Sequence, residues 1–226
     1  CCYRLKTQAV SRKTGSHNTW IFEEKDGKRL EQMKVRSNIF SKKDPLTTTT
    51  ILKETDNISL IGSDAAEVYG QPVKKAERYW IFIRPDILFI IDRIKAERPI
   101  KINTNFVINN RNNNLKYNIA SESKLVLRRN NAAMKFFQVK SRRQKRENNC
   151  KLEQSWGYLH DCYHPLPNQL GQGAEGSAVI FNFKTEQYST DYLSVYAAAM
   201  DREDAITGWH IRNTGNNTFQ VEPPQK

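Results

Sequence analysis

Residues 80–94 read Trp-Ile-Phe-Ile-Arg-Pro-Asp-Ile-Leu-Phe-Ile-Ile-Asp-Arg-Ile, and this stretch decides the fold. Two apolar runs flank the triplet Arg84-Pro85-Asp86. Proline fixes the backbone geometry that the second position of a β-turn requires, so the triplet favours a turn. Apolar runs on both sides of such a turn are typical of two paired strands. The segment therefore predicts a β-hairpin.

Strand signals continue on both sides of this hairpin. Residues 100–108 begin with alternating apolar and polar positions, the pattern of a half-buried strand. Residues 109–114 hold five asparagines around one arginine, and asparagine favours turns because it tolerates left-handed backbone geometry. Further strands are predicted at 19–23, 32–40, 46–54, 58–62, 115–119, 123–127, 133–139, 177–184, 192–199, 207–212 and 218–222. The helical signal is confined to one short turn at 64–69.

The number and spacing of these strands indicate the fold class. Many short strands separated by turn residues predict an all-β chain, a large antiparallel β-sandwich of stacked sheets with little helix. A length of 226 residues suits one large all-β unit. We therefore expect a single module over 1–226, with room for a small terminal sub-layer over 152–226. Because the sequence begins without Met and in mid-pattern, we also expect further residues upstream of Cys1.

Two segments interrupt the strand pattern. Residues 140–151 are rich in lysine and arginine and nearly free of apolar residues, which predicts an exposed loop. Residues 163–176 contain two prolines and three glycines and are too irregular for a sheet. No apolar run reaches the length of a membrane-spanning helix, so no membrane span is expected.

Positive charge is the clearest pointer to a partner. Thirty-six Lys and Arg residues against 24 Asp and Glu residues give a formal charge of +12, which draws polyanions toward the surface. Eight cations lie close together in sequence: Arg128, Arg129, Lys135, Lys140, Arg142, Arg143, Lys145 and Arg146. Guanidinium groups bind carboxylate and sulfate bidentately. The candidate substrate-binding residues are therefore Arg142, Arg143, Lys145 and Arg146.

This basic cluster also has two alternative roles besides a glycan site. Basic loops are common as plain solvated surface, and that alternative stays open. A nucleic-acid partner is disfavoured, because a module of that kind interleaves exposed aromatic residues for base stacking. Residues 140–151 contain no aromatic residue.

The histidines show few arrangements that could form a metal or ligand site. His17 directly precedes a predicted strand and stands among small polar residues. An imidazole there can face a ligand or a metal, with an ordinary surface histidine as the alternative. His160 and His164 have a spacing of four residues, but Pro165 argues against the helix that would bring them onto one face.

The sequence nominates no catalytic residue. It has no Gly-rich phosphate loop opening a helix and no Gly-x-Ser-x-Gly elbow. Adjacent carboxylates such as Glu23 and Glu24 are typical of solvated turns, and nothing nominates a pair of glycosidase acids. Cys150 and Cys162 either close a small loop or remain free thiols, and both alternatives stay open.

Two groups of motifs follow one another along the chain. The first is Gly-Ser-His-Asn-Thr at 15–19, leading into a strand. The second is a longer series: Gly62-Ser63-Asp64-Ala65-Ala66, Tyr69, Glu77-Arg78-Tyr79-Trp80, Arg84-Pro85 and Ile90-Ile91-Asp92-Arg93-Ile94. In this order they resemble the β-sandwich region of heparinase II/III-like polysaccharide lyases. That region has a His-Asn-Thr segment, an arginine-containing strand, a proline turn and a strand ending in an Asp-Arg pair.

The resemblance implies a larger enzyme. Members of this family carry an α/α toroid followed by β-sandwich layers, and they cleave uronic-acid glycosides by β-elimination in the cleft between the two. A tyrosine from the toroid and a histidine act as acid and base. The resemblance also implies a structural zinc, to which His17 supplies one ligand while the other two lie upstream of Cys1. Arg78 and Asp92 are interpreted as a buried or edge ion pair that holds the hairpin.

These observations lead to one expected function and two alternatives. We expect the β-sandwich portion of a bacterial, secreted or periplasmic polysaccharide lyase acting on an acidic polysaccharide of the glycosaminoglycan type. We expect it to be inactive alone, because no catalytic residue is found in it. The first alternative is a non-catalytic module that binds anionic glycans, and the second is a nucleic-acid-binding protein.

Overall fold

The computed structural model describes residue 14 and residues 17–32, 47–110, 114–146, 151–153 and 177–225. In these ranges the chain forms fifteen strands, one short helix and one 3₁₀ turn. The strands are β1 Trp20–Glu24, β2 Arg29–Leu30, β3 Thr48–Glu54, β4 Ile58–Asp64, β5 Val73–Ile83, β6 Ile87–Asn110, β7 Lys116–Ser121, β8 Lys124–Arg129, β9 Ala132–Arg142, β10 Lys145–Arg146, β11 Lys151–Glu153, β12 Ser177–Lys184, β13 Ser189–Arg202, β14 His210–Gly215 and β15 Thr218–Glu222. The helix α1 spans Ala66–Tyr69, and the 3₁₀ turn spans Ile206–Gly208.

The long strand β6 belongs to two layers of the sandwich. It has 24 residues; its first half pairs with β5 and β13, and its second half pairs with β1 and β12. The exchange of partners falls near Pro99, which has no backbone N–H to donate to a ladder. The register between β6 and β13 shifts at the same place, between the pairs Asp191–Lys95 and Ser189–Ile100.

The two layers enclose an apolar core. The larger layer has the antiparallel order β3-β4-β5-β6-β13-β9-β8-β7, and the smaller layer places β1 and β12 on either side of the second half of β6. Successive side chains of a strand point to opposite faces, so each layer contributes every second residue to the space between them. The largest fully buried side chains there are Phe22, Ile94, Ile100, Phe181, Phe183 and Tyr196.

The outer face of the larger layer is covered by the last hairpin of the chain. Strands β14 and β15 are joined by Asn216 and Asn217, which have φ angles of 45° and 61°. Two consecutive residues of positive φ form the turn that matches the twist of a tight hairpin, and asparagine tolerates that conformation. Phe89, Val126 and Phe137 on the outer face form one core cluster with three residues of the turn and the hairpin: Ile206, Trp209 and Ile211.

The predicted fold class, an all-β sandwich with little helix, is confirmed. The predicted hairpin corresponds to β5 and β6, and the predicted helical turn to α1. Two predicted boundaries are wrong, because β6 runs without a break through residues 95–99 and continues to Asn110. Continued pairing with β12 as far as Asn110 overrides the turn preference of asparagine there. Most of the predicted strand 32–40 and the whole predicted loop 163–176 lie outside the described residues.

Arg78 and Asp92 form a buried ion pair inside the sandwich. They are directly opposite each other on β5 and β6, and each side chain is only 4% exposed. Arg78 donates from Nε to Oδ1 of Asp92 at 2.6 Å and from Nη2 to Oδ2 at 2.7 Å. Trp20 Nε1 donates to the same Oδ2 at 2.9 Å. The interpretation of this pair as a buried ion pair of the hairpin is confirmed.

Groups from the smaller layer complete the environment of the arginine. Nη1 of Arg78 donates to the backbone oxygen of Asn18 at 2.8 Å. The guanidinium carbon lies 4.5 Å from the ring centroid of Trp20 and 5.5 Å from that of Phe106. Desolvation opposes a buried cation, but hydrogen bonds and ring contacts on all sides offset it. The pair therefore joins the two layers through its contacts with β1.

We expect the substitution Asp92→Asn to lower the free energy of unfolding by about 3–5 kcal/mol, because it leaves the Arg78 charge buried without its counterion. Urea unfolding followed by circular dichroism measures the change. The double variant Arg78→Met with Asp92→Leu should lose less than Asp92→Asn alone, because it removes both charges.

An exposed ion pair provides the matched control for this measurement. Arg142 contacts Asp191 while 53% of its side chain remains exposed. Substitution of Arg142 by alanine should change the free energy of unfolding by about 1 kcal/mol or less. Equal losses for Asp92→Asn and Arg142→Ala would contradict a special role for the buried pair.

Candidate functional site

His17 lies in an exposed turn at the start of β1. Its backbone N–H donates to the oxygen of Thr14 at 3.2 Å, and its own oxygen accepts from the N–H of Thr19 at 2.9 Å. Asn18 is exposed, and its side-chain oxygen accepts the backbone N–H of Val107. The sequence prediction that His17 stands at the mouth of a strand is therefore correct.

Tyr69 fixes this turn from beneath. Its hydroxyl donates to the backbone oxygen of Trp20 at 2.7 Å and lies 2.8 Å from Oγ1 of Thr19. Gln32 donates from Nε2 to the same Thr19 oxygen at 3.2 Å. Burial raises the pKa of the Tyr69 hydroxyl to about 12, and its hydrogen-bond partners only partly oppose that effect. The hydroxyl is therefore a neutral donor in the folded protein.

The motifs that carried the family resemblance meet at one place in the structure. Thr19 contacts Tyr69, Trp20 contacts Asp92, and Arg78 contacts Asn18. These contacts join β1 to α1, β5 and β6. Every one of them is an internal hydrogen bond between groups of the protein, so the motif residues stabilise the start of β1 and hold its turn in place.

The described residues alone do not form a zinc site. No group of three or more His, Cys, Asp and Glu side chains among them could hold a metal ion. Zinc sites of proteins use three or four such side chains, so His17 can supply only one ligand of the expected set. The zinc ion stays a prediction. His160, His164, Cys150 and Cys162 lie outside the described residues.

The segment predicted as an exposed basic loop is in part a strand. Strand β9 pairs with β13 as far as Arg142, and β10 and β11 occupy Lys145–Arg146 and Lys151–Glu153. The loop prediction is therefore wrong for these residues, because main-chain pairing does not require apolar side chains at a sheet edge. Residues 147–150 lie outside the described part of the chain.

Gln144 anchors this segment in the core. Its side chain is buried between the layers, and it donates from Nε2 to Oγ1 of Thr104 at 2.6 Å and to the oxygen of Phe183 at 2.9 Å. Its Oε1 accepts from the hydroxyls of Tyr196 and Ser194. Buried amides need such partners. A single glutamine within a run of cations gives no sign of this role in the sequence.

The predicted substrate-binding arginines already have protein partners. Arg142 forms an ion pair with Asp191, and Nη1 of Arg143 donates to Oγ of Ser189 at 2.8 Å. Both side chains are exposed, but an anion must compete with these contacts. Lys145 and Arg146 lie on β10, opposite Lys184 and Phe183 of β12.

Lys135 of the same basic cluster is buried and structural. Its Nζ donates to the oxygens of Thr207 and Trp209 at 2.9 and 2.8 Å, and lies 5.6 Å from the ring centroid of Phe137. Burial lowers the pKa of this lysine, with a smaller contribution from the charge of Lys124. Lys135 therefore holds the last part of the chain against β9.

A polar cleft of about 350 Å³ lies at the far edge of the larger layer. Its lining residues are Asn114, Lys116, Arg128, Arg129, Asn130 and Glu203. Lys116 and Arg128 are directly opposite each other on β7 and β8. Glu203 follows β13, and its backbone N–H donates to Asn131 in the β8–β9 turn at 3.2 Å. Three cations and one carboxylate thus share one concave surface.

Only part of this cleft could be predicted from the sequence. Arg128 and Arg129 belong to the predicted basic cluster, whereas Lys116, Glu203 and the asparagines were missed. Lys116 lies twelve positions before Arg128 in the printed sequence and was assigned only to a strand. The pairing of β7 with β8 is what brings the two cations together, and a single sequence gives little sign of that register.

A second cavity lies between the two layers and is almost entirely apolar. It measures about 120 Å³, and Asn18 is its one polar lining residue; the others are Leu88, Ile90, Phe106, Ile108, Leu125, Leu127, Met134, Phe136, Phe181 and Ala198. A polar sugar placed there would lose its hydrogen bonds to water without replacement. The polar cleft is the better candidate for a glycan.

Comparison with solved structures places this fold among known ones. Heparan sulfate lyase HepC from Pedobacter heparinus matches 98% of this chain with a TM-score of 0.58 and 11% identity. The heparinase III that is the BT4657 gene product matches 100% of it with a TM-score of 0.60 and 12% identity. This chain shares a fold with part of each lyase. It covers 32% of the length of each of these two structures.

A third solved structure, of heparinase III, matches 93% of this chain with a TM-score of 0.53 and 10% identity. At such identities the likeness concerns the fold, and function has to be argued from the residues of the site. No family model and no curated protein matches the sequence. Among the described residues, no helix has the length and apolar character needed to cross a membrane.

We expect the stability of the protein to fall between about pH 10 and pH 12, in part because of Tyr69. Its pKa is about 12 in the folded protein against an ordinary value of 10.0. The unfolded hydroxyl therefore loses its proton first as the pH rises, which favours unfolding. This stabilising contribution is complete below pH 10 and amounts to about 3 kcal/mol.

Urea unfolding at a series of alkaline pH values measures this effect. The variant Tyr69→Phe should be less stable at neutral pH and should lose less stability than the wild type above pH 10. Tyr117, which is 41% exposed, provides the matched control: Tyr117→Phe should follow the wild-type pH dependence. An unchanged slope for Tyr69→Phe would contradict the assignment.

Proposed function

We propose that this chain is the β-sandwich portion of a larger polysaccharide lyase that cleaves acidic, uronic-acid-containing polysaccharides by β-elimination. The observation that carries the proposal is the match of nearly the whole chain to about one third of a heparan sulfate lyase. The positive charge of the chain and its basic cleft suit an anionic substrate of this kind.

The proposal places the acid and the base of the reaction in the upstream part of the enzyme. β-Elimination requires a base for the C5 proton, an acid for the leaving oxygen and a cation for the substrate carboxylate. The buried tyrosines Tyr69, Tyr192 and Tyr196 all use their hydroxyls in internal hydrogen bonds. In the proposed whole enzyme, an upstream α/α toroid supplies the catalytic tyrosine and the other wall of the cleft.

One apolar row on the larger layer is buried at one end and exposed at the other, and its exposed end supports a further domain. Leu52, Ile61, Trp80 and Ile90 are successive cross-strand partners on β3 to β6 and point to the same side of the sheet. Exposure along the row rises from 8% at Ile90 to 43% at Ile61 and 70% at Leu52. Exposed apolar patches commonly mark contact surfaces, and the proposed toroid is the partner for this one.

Two further properties belong to the proposal. The substrate is an extracellular polymer, so the whole enzyme is secreted or periplasmic in a bacterium. A structural zinc bound by His17 and ligands upstream of Cys1 would tie the turn before β1 to that upstream segment. Zinc does not enter the proposed reaction.

A second candidate function is a binding module for anionic glycans without catalysis. The observation that favours it is the concentration of cations in the polar cleft, together with the internal use of the buried tyrosine hydroxyls. The two candidate functions differ in the turnover that they predict for the chain joined to its upstream segment.

We expect the isolated chain to bind heparin resin in a salt-sensitive manner and to show no turnover of heparin, heparan sulfate or alginate. Turnover is measured as the ultraviolet absorbance of the unsaturated uronate that β-elimination creates. The reason is that the chain carries cations for the polymer, whereas the proposal assigns the catalytic tyrosine to the upstream toroid.

The gene that encodes the chain together with its upstream sequence provides the decisive control. The longer protein should release unsaturated uronate from at least one of these polysaccharides. Turnover by the isolated chain would contradict the proposal that catalysis resides upstream. Binding without turnover by the longer protein would favour the second candidate, the non-catalytic module.

A further inference from the structure

We propose that the polar cleft between the β7–β8–β9 edge and the turn after β13 is a binding site for the sulfate or carboxylate groups of an acidic polysaccharide. The inference rests on the proposed function for the identity of the polymer, whereas the site itself is argued from geometry. Its cations are Lys116, Arg128 and Arg129, and Glu203 is the one acidic residue of its lining.

The charge arrangement of the cleft is unfavourable without an anion. Lys116 and Arg128 are directly opposite each other on neighbouring antiparallel strands. Like charges at such positions destabilise a sheet, and Arg129 adds a third cation to the same cleft. Glu203, the one carboxylate of the lining, cannot balance both cations of the Lys116–Arg128 pair. An anionic group bound between them would relieve this repulsion.

The donors of Arg128 are available to a ligand. Its Nε lies 3.7 Å from Oε1 of Glu203, which is too long for a hydrogen bond. The two side chains are 25% and 49% exposed. Within the described part of the chain, neither Arg128 nor Lys116 forms a hydrogen bond through its side chain. Arg142 and Arg143 differ from them, because each already contacts a protein oxygen.

The shape and chemistry of the lining suit a glycan better than a nucleic acid. The cleft offers a planar guanidinium fork for sulfate or carboxylate, and the side chains of Asn114 and Asn130 are of the kind that bind sugar hydroxyls. No aromatic residue lines it, whereas sites for single-stranded nucleic acid stack bases on aromatic rings. The turn residue Asn130 holds a φ of 53°, which asparagine tolerates.

Glu203 allows a test in which the proposal predicts a gain of anion affinity. Its carboxylate faces Arg128 across 3.7 Å and repels any anion that enters the cleft. Neutralisation of this carboxylate should therefore strengthen anion binding, which a purely structural role would not produce. The backbone hydrogen bond from Glu203 to Asn131 does not involve the side chain, so the substitution Glu203→Gln retains it.

The experiment is calorimetric titration of the full chain with a size-defined heparin oligosaccharide over a series of salt concentrations. The double variant Lys116→Ala with Arg128→Ala should bind about tenfold to a hundredfold more weakly. Its salt dependence should also become shallower, because fewer ions are exchanged on binding. Glu203→Gln should bind severalfold more tightly than the wild type.

The matched control is the double variant Arg142→Ala with Arg143→Ala, which removes the same number of charges from a place where the arginines already have partners. It should bind within about threefold of the wild type, since surface charges outside a site mainly alter long-range attraction. Urea unfolding of each variant shows whether it remains folded, and Glu203→Gln tests the cleft even if the double alanine variant does not fold.

Each result bears on the inference. If the 142/143 variant loses heparin binding and the 116/128 variant keeps it, the cleft is not the binding site. The site then lies on the neighbouring basic segment. Equal heparin affinity of the wild type and all three variants would also overturn the cleft as the binding site. In that case the proposed function would stand. Absence of binding to heparin, heparan sulfate and alginate would overturn both. Tighter binding to single-stranded DNA than to heparin would replace the glycan with a nucleic acid.

Discussion

The ion pair between Arg78 and Asp92 is the constraint on which the rest of the structure depends. A charge enclosed between two apolar layers is tolerated only where its counterion and hydrogen bonds are in place. Asp92 accepts from Arg78 and Trp20, and Arg78 reaches the backbone of Asn18. These contacts fix β5 and β6 in register and hold β1 against them. The smaller layer is therefore positioned by polar contacts as well as by the packing of its aromatic side chains.

The same polar contacts separate the structural part of the molecule from its candidate site. Buried hydroxyls and amides form hydrogen bonds with other protein groups inside the sandwich, as Tyr69, Gln144 and Tyr196 do. Arg128, at the far edge of the larger layer, instead faces a carboxylate at a distance too long for a hydrogen bond. Groups that satisfy each other stabilise a fold, whereas groups left with unused donors are available to a ligand.

Much of the fold could be predicted from the sequence because the signal is local. The turn at Arg84-Pro85, the apolar runs around it and the short helix before Tyr69 are all read from neighbouring residues. The errors have the opposite cause. The predicted hairpin ended at Ile94 and the asparagines from residue 109 predicted a turn, but β6 continues to Asn110 because partners distant in sequence pair with it. Residues 140–146 suggested a loop, but pairing with β13 and burial of Gln144 hold them in the sandwich.

The sequence by itself determined the β-rich character of this protein, its central hairpin, its excess of positive charge and the resemblance that the solved lyases bear out at the level of fold. Only the tertiary structure decided which cations contact protein groups and which keep unused donors. Lys135 became a buried structural contact, Arg142 and Arg143 acquired protein partners, and Lys116 joined Arg128 across a strand pair. The physical reason is that a sequence shows which residues are charged but not which groups lie beside them. Whether a charged side chain can bind a ligand depends on the groups, distant in sequence, that the fold places next to it.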